Sequence, residues 1–325
     1  MSYLKVLSGK MLQFVIVLWA VVTILFLIFR LMPGSPLAAY IDPTFTAEQE
    51  RILLAEFGLD KPLWHQYFIY IGNLLQGELG QSFRYREPVA ERLLILLPNT
   101  LILCFSSLIA AYAFGILAGA WLAWKRDSLS ETLALPVVLA TRAMPEFWVG
   151  MVLLAVFSFS LGWFPAGGTR SPGAEFTSLF DLYTSAEFLR HLALPAFTLA
   201  IFSQGLPLLL MRSNMLDVMK EDFVTMARIK GLSTWTVVIR HAARNALLPV
   251  MTSFAIAVGY QLQGNVVVES VFSWPGLGRE LVQAVSVADY PLAQGAFLMI
   301  AVIVIFMNLL ADLLYAVLDP RVSHA

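Results

Sequence analysis

Met211-Arg212-Ser213-Asn214-Met215-Leu216-Asp217-Val218-Met219-Lys220-Glu221-Asp222-Phe223-Val224-Thr225-Met226-Ala227-Arg228-Ile229-Lys230-Gly231-Leu232-Ser233 is the long charged interruption in the apolar second half of the chain. It runs on through His241, Arg244 and Asn245 to Pro249. Met215, Met219, Phe223, Met226 and Ile229 recur near the helical period and predict one amphipathic helix. Gly231 follows the last periodic residue, where a left-handed conformation is cheap only for glycine. Ser233 then N-caps a second short helix through Ile239. The stretch predicts a helix-turn-helix held between two membrane spans. A loop that only joins spans needs few residues. This one adds Lys220, Arg228, Lys230, Arg240 and Arg244 to Glu221, Asp222 and an apolar stripe. A docking surface and a solvated positive loop both fit that pattern.

Working outward, the 325 residues are 59% hydrophobic and 13% charged, about half the charge of a soluble domain. The chain is an all-α integral membrane protein by composition. A net charge of −1 gives no basis for nucleic-acid binding. Cys104, the sole cysteine, excludes an intrachain disulfide and a thiolate metal cluster, and reads as an inert buried thiol.

Six spans are expected, at about 11–31, 99–124, 135–161, 191–211, 249–271 and 292–318. The first follows Lys5 and Lys10 and is too long for the core of a cleaved signal. Pro33 to Pro36 end it, and residues 33–97 form an extracytoplasmic cap with helices over Thr46–Phe57 and Pro62–Leu75. Gly115 and Gly119 allow close helix packing. Arg142 and Glu146 fall four apart and predict an ion pair near one interface, with a transport site as the other reading. Pro195 and Pro207 predict kinks. Lys and Arg cluster in the termini, the 125–126 turn and the 212–248 loop, which places both termini and that loop in the cytoplasm. The cap, the 162–190 loop and the 272–291 segment are then outside.

No phosphate-binding loop, nucleophile elbow or metal-spaced histidine pair occurs, so no catalytic residue, metal site or cofactor is expected on this chain. Gln261, Asn265 and Glu269 fall on one stripe of the fifth span and are candidates for lining a path, with interhelical bonding as the other reading. Asn308 and Asp312 read as a structural pair. Trp274, Pro275, Gly276 and Gly278 mark a rigid turn.

Several strings resemble those of permease subunits in ATP-binding-cassette importers, specifically the B-type subunit of the dipeptide/oligopeptide (peptide/nickel) family. They are Glu221-Asp222-Phe223, Ala227-Arg228-Ile229-Lys230-Gly231-Leu232, His241-Ala242-Ala243-Arg244-Asn245 with Pro249, and Trp274-Pro275-Gly276-Leu277-Gly278. Met32 to Pro36, Phe57 to Pro62, Gly77 to Gly80 and Leu97 to Leu101 match in order as well. Thr225-Met226 and Ile229 depart from the family's Arg-Thr and alanine.

The resemblance implies a six-span type I importer permease of a bacterial inner membrane. A second permease, two cytoplasmic ATPase subunits and a periplasmic solute-binding protein would be its partners, with ATP and magnesium on the ATPases. It implies coupling roles for Glu221, Asp222, Phe223, Ala227, Arg228, Lys230, Gly231, Leu232, His241, Arg244 and Asn245. Short peptides are the implied cargo, with nickel chelate or glutathione as alternatives. An ion-coupled secondary transporter is the rival from another class.

Overall fold

In hydrocarbon, a segment that has no paired strand beside it satisfies its N–H and C=O groups by forming a helix, as the apolar runs of this chain do. The computed structural model describes residues 3–31, 46, 48 and 60–318. The expected helix over Thr46–Phe57 and the ending at Pro33–Pro36 fall almost wholly outside them.

Thirteen helices follow in order among the described residues. The N-terminal ones are α1 (Tyr3–Leu31), α2 (Leu63–Leu75) and α3 (Val89–Trp124). A bent pair follows, α4 (Leu129–Ala143) and α5 (Glu146–Leu153), the latter running into a π-helical stretch, Leu154–Ser160. Next come α6 (Leu179–Thr184) and a second bent pair, α7 (Ala186–Ser203) and α8 (Gly205–Val218). The loop helix α9 is Asp222–Ile229. Then α10 (Thr234–Thr236) passes through a second π-helical stretch, Val237–Ala243, into α11 (Arg244–Val271). The chain ends in α12 (Leu277–Ser286) and α13 (Tyr290–Leu318). Four of these segments are long and apolar enough to cross a bilayer, and six if each bent pair counts as one span.

The helices depart from the expected spans at several points, while the kink expected at Pro207 is present. α3 begins at Val89, so the last residues assigned to the cap are the first turns of a membrane helix. The third span is broken rather than straight, with α4 and α5 meeting at 104°. Met144 is extended (φ −77°, ψ 141°) because Pro145 disfavours the helical region for the residue before it. The fourth span bends by 44° at Gln204. Pro207 lacks the N–H that would bond Ser203 O, and its ring crowds that carbonyl. Pro195 lies inside α7 without a break.

The helices form two compact units. The first comprises residues 1–100 and 275–306. Its core joins Val89 and Leu93 of α3 to Leu277, Leu281 and Ala284 of α12 and to Leu292 and Ala296 of α13. Buried Asp289 accepts from Ser82 Oγ at 2.5 Å and from the Arg84 N–H at 3.0 Å. Arg92 reaches Glu280 at 2.6 Å and lies over the Tyr85 ring. Asn99 donates to Pro275 O at 2.8 Å and the Leu277 N–H to Thr100 Oγ1 at 2.8 Å, which secures the start of α12.

The second unit comprises residues 101–274 and 307–325. α3 meets α8 through its two glycines, where a Cβ on Gly119 would stand 2.5 Å from Leu208 O and one on Gly115 2.8 Å from Pro207 Cγ. Gly119→Ala is expected to lower stability by about 1–3 kcal/mol through overpacking. Gly72→Ala, with nothing within 4 Å of the added carbon, is expected to raise it by up to about 1 kcal/mol through helix propensity. Thermal unfolding of the detergent-solubilised protein checks both signs.

Candidate functional site

The stretch from Arg212 to Ser233 forms two helices where the periodicity predicts one. α8 ends at Val218, Met219 to Glu221 turn, and α9 begins at Asp222, an acidic residue suited to the first turn of a helix. The expected stripe therefore divides. Met215 is buried in the α8 face, whereas Phe223, Met226 and Ile229 are exposed on α9, at 42%, 56% and 74%. The opposite face of α9 does the anchoring. Val224 and Ala227 pack on Val237 and Val218 and leave the bulky apolar residues outward.

Gly231 has φ +75°, the left-handed region, and a Cβ there would touch nothing, so the glycine answers a torsional need alone. The Gly231 N–H donates to Arg228 O at 3.0 Å and the Leu232 N–H to Ala227 O at 3.3 Å, the paired bonds of a Schellman end. Ser233 Oγ accepts from the Thr236 N–H and caps α10. The second helix does not stop at Ile239. It continues without a break through the π-helical stretch into α11, with Pro249 inside the helix rather than at its start. His241 is half-buried and Arg244 and Asn245 are exposed in this stretch. Asn245 Nδ2 donates to His241 O at 2.8 Å, a carbonyl in the wider π turn.

The loop's other root is an ion pair absent from the sequence reading. Arg212 on α8 bonds Glu131 on α4 through both Nε, at 2.7 Å, and Nη2. The second Glu131 oxygen accepts from the Asp127 N–H at 2.6 Å. Ser128, three residues before Glu131, is the N-cap of α4, and this Ser-x-x-Glu spacing was the available signal.

The polar stripe of α11 also divides. Gln261 accepts from Ser203 Oγ at 2.8 Å and donates to Ser107 Oγ at 3.3 Å, joining α7, α11 and α3. It also forms part of the wall of a cavity of about 320 Å³ with Tyr112, Arg142, Glu146, Ser253 and Tyr260. The Asn265 side chain lies outside the described residues, as does that of Asp312. Glu269 is fully buried and lies on no open surface of the chain. Asn308 packs on Gly259, where an added Cβ would overlap its amide oxygen. Arg142 and Glu146 do not form the expected ion pair, because the 104° bend separates the turns that would have aligned them.

At the far end of α11, Trp274 is fully buried against Phe188, with ring centroids 5.5 Å apart, and its backbone N–H donates to Glu269 O at 2.8 Å. Ser273 takes φ 50° to make the turn. Gly276 precedes the first turn of α12, and Gly278 within it is buried. The Gly168 N–H donates to Phe272 O at 3.1 Å, and Gly167 packs so closely on Phe272 that a Cβ has no room.

A charged loop helix that displays apolar residues, continuous with a membrane helix, matches one family over nearly the whole chain. The model of the binding-protein-dependent transport system inner membrane component covers residues 115–324, and its N-terminal companion covers 3–104. The chain belongs to this family. It is a multi-pass permease subunit of an ATP-binding-cassette importer, which works with a separate binding protein.

The permease is 42% identical to the di/tripeptide transport system permease protein DppB of Pseudomonas aeruginosa, over 94% of this chain and 95% of that one. It is 38% identical to the oligopeptide transport system permease protein AppB of Bacillus subtilis (93% and 94%). It is 35% identical to the glutathione transport system permease protein GsiC of Escherichia coli (97% and 97%).

Arg212→Lys is expected to lower the melting temperature of the permease, because an ammonium cannot reproduce the two-pronged contact with Glu131. Glu131→Ala is expected to lower it further, since it leaves a half-buried guanidinium unpaired. Differential scanning fluorimetry checks the order.

Proposed function

We propose that this chain imports short peptides as one of two permease subunits, paired with a second related permease and driven by two cytoplasmic ATPases. The exposed apolar face of α9 carries the reading. Phe223, Met226, Ile229 and Leu232 stand outward beside Glu221, Asp222, Arg228 and Lys230, a mixed face suited to a groove on another protein. ATP and magnesium bind on the ATPases, and the chain itself hydrolyses nothing. Both termini and the loop face the cytoplasm, as the Lys and Arg distribution favours.

A push on α9 has a stiff route inward. Val224 and Ala227 press on Val237, which lies in the same continuous helical run as Gln261 at the cavity wall. The π-helical stretch at Val237–Ala243 is where that run is least regular, and local π geometry of this kind recurs at functional sites. A periplasmic binding protein delivers the solute at the opposite end. Peptides are favoured over glutathione because the di/tripeptide and oligopeptide relatives are the more similar, at 42% and 38% against 35%.

Met226→Asp places a charge in the middle of the exposed face without touching the Val224 anchor. ATPase subunits co-purifying with the complex are expected to fall roughly tenfold, the equivalent of about 1.4 kcal/mol. Undiminished co-purification with normal peptide-stimulated ATP hydrolysis would mean that α9 does not dock there.

A further inference from the structure

The two bent helix pairs come together at the cavity. Ser203 and Leu206 flank the break between α7 and α8, Glu146 opens α5 after the break at Pro145, and Arg142 ends the turn before it. Arg142 and Glu146 both line this cavity, yet among the described residues neither makes an ion pair or hydrogen bond with the other or with any other side chain. Arg142 is nonetheless placed with care. Its aliphatic stem packs on buried Gly205 so closely that no Cβ fits there. The remaining wall is largely apolar and aromatic, with Phe202, Ile256 and Tyr260. The polar groups between them are already engaged: Gln261 with Ser203 and Ser107, and Tyr112 OH with Ser253 Oγ at 3.1 Å.

On the cavity wall Arg142 is exposed and Glu146 half-buried, and two opposite charges that lie within membrane spans without a partner are costly unless something answers both. A neutral ligand answers neither. An ion of one sign is attracted to one and repelled by the other. A small molecule with a cationic end and an anionic end answers both at once. We infer that Arg142 and Glu146 form a charge clamp for the two ends of a short peptide in transit, Arg142 for its α-carboxylate and Glu146 for its α-ammonium.

This rests on the peptide reading above and deepens it. The volume of about 320 Å³ is at the small end of ligand sites, suited to a di- or tripeptide. Recognising the ends and offering an apolar wall to the side chains selects for length and termini and leaves residue identity open. The guanidinium suits a planar carboxylate that it can grip with two N–H groups.

The test uses the assembled complex carrying Ala257→Cys, a cavity-wall position. Cys104 is fully buried, so the new thiol is the one that a charged maleimide reaches on this chain. Millimolar dialanine is expected to slow labelling, whereas N-acetyl-dialanine and dialanine amide, each lacking one charge, protect roughly tenfold less well. Arg142→Gln and Glu146→Gln on the same background are expected to weaken protection by dialanine to the same degree. Equal protection by all three peptides, or protection that survives both substitutions, would overturn the clamp.

Uptake of labelled dialanine by the unaltered complex separates the two claims. A complex that imports dialanine while the peptide leaves labelling unchanged overturns the clamp alone. A complex that imports none overturns the peptide reading and the clamp with it. The blocked peptides on the Ala257→Cys background decide the question even where an Arg142 variant fails to assemble.

Discussion

Glu131 and Arg212 meet where neither could stand alone. Glu131 is almost fully enclosed between helices, and a carboxylate there needs its full set of donors. Arg212 supplies two N–H groups and the turn before α4 supplies a third. The pair ties the first bent helix pair to the second just before the chain leaves for the loop. It holds α8 near its middle, about two turns before that helix ends at Val218. On its other flank α8 is held against α3 by two glycines that leave no space for a side chain. The loop stands on a braced support.

From that support, the two halves of the loop differ in kind. The α9 half is short and shows its apolar residues. It is held by a small patch of Val224 and Ala227 on Val237 and Val218. The second half is continuous helix from Thr234 to Val271, interrupted only in winding. A short, weakly held piece beside a long stiff one suits a joint whose motion is passed on with little loss. The tight turn at Gly231 lies between them, and its two backbone bonds keep the direction of α9 relative to α10. At the far end, buried Trp274 and the Gly167–Phe272 contact fix α11 in the second unit.

The features legible in the sequence were those written in local chemistry. Gly231 announced a left-handed turn and Ser233 a cap, because each is decided by a residue and its near neighbours. Gly115 and Gly119 announced a close helix contact for the same reason. Family strings mark the segment that holds α9 and the turn at Trp274, but not where the flanking helices begin and end. Periodicity was a poorer guide. In a membrane protein apolar residues face lipid, core and partner alike, so Met215, Phe223 and Ile229 looked like one stripe although the backbone turns between them. Pairing across distance was not legible. Glu131 and Arg212 are far apart in the chain, and Arg212 looked like one more loop charge. The four-residue spacing of Arg142 and Glu146 predicts a pair only in an unbroken helix, whereas the chain bends at Pro145 by 104°. Of the α11 stripe, Gln261 is an interhelical tie that also stands in the cavity wall.

The central claim is that this permease is one part of a machine whose energy enters through α9 from separate ATPases. The most direct measurement is the native mass of the complex extracted gently from a membrane in which import is active. The account predicts one copy of this chain with one second permease and two ATPase subunits. A chain that leaves that membrane alone, with import still supported by an ion gradient in the absence of ATP, would contradict it.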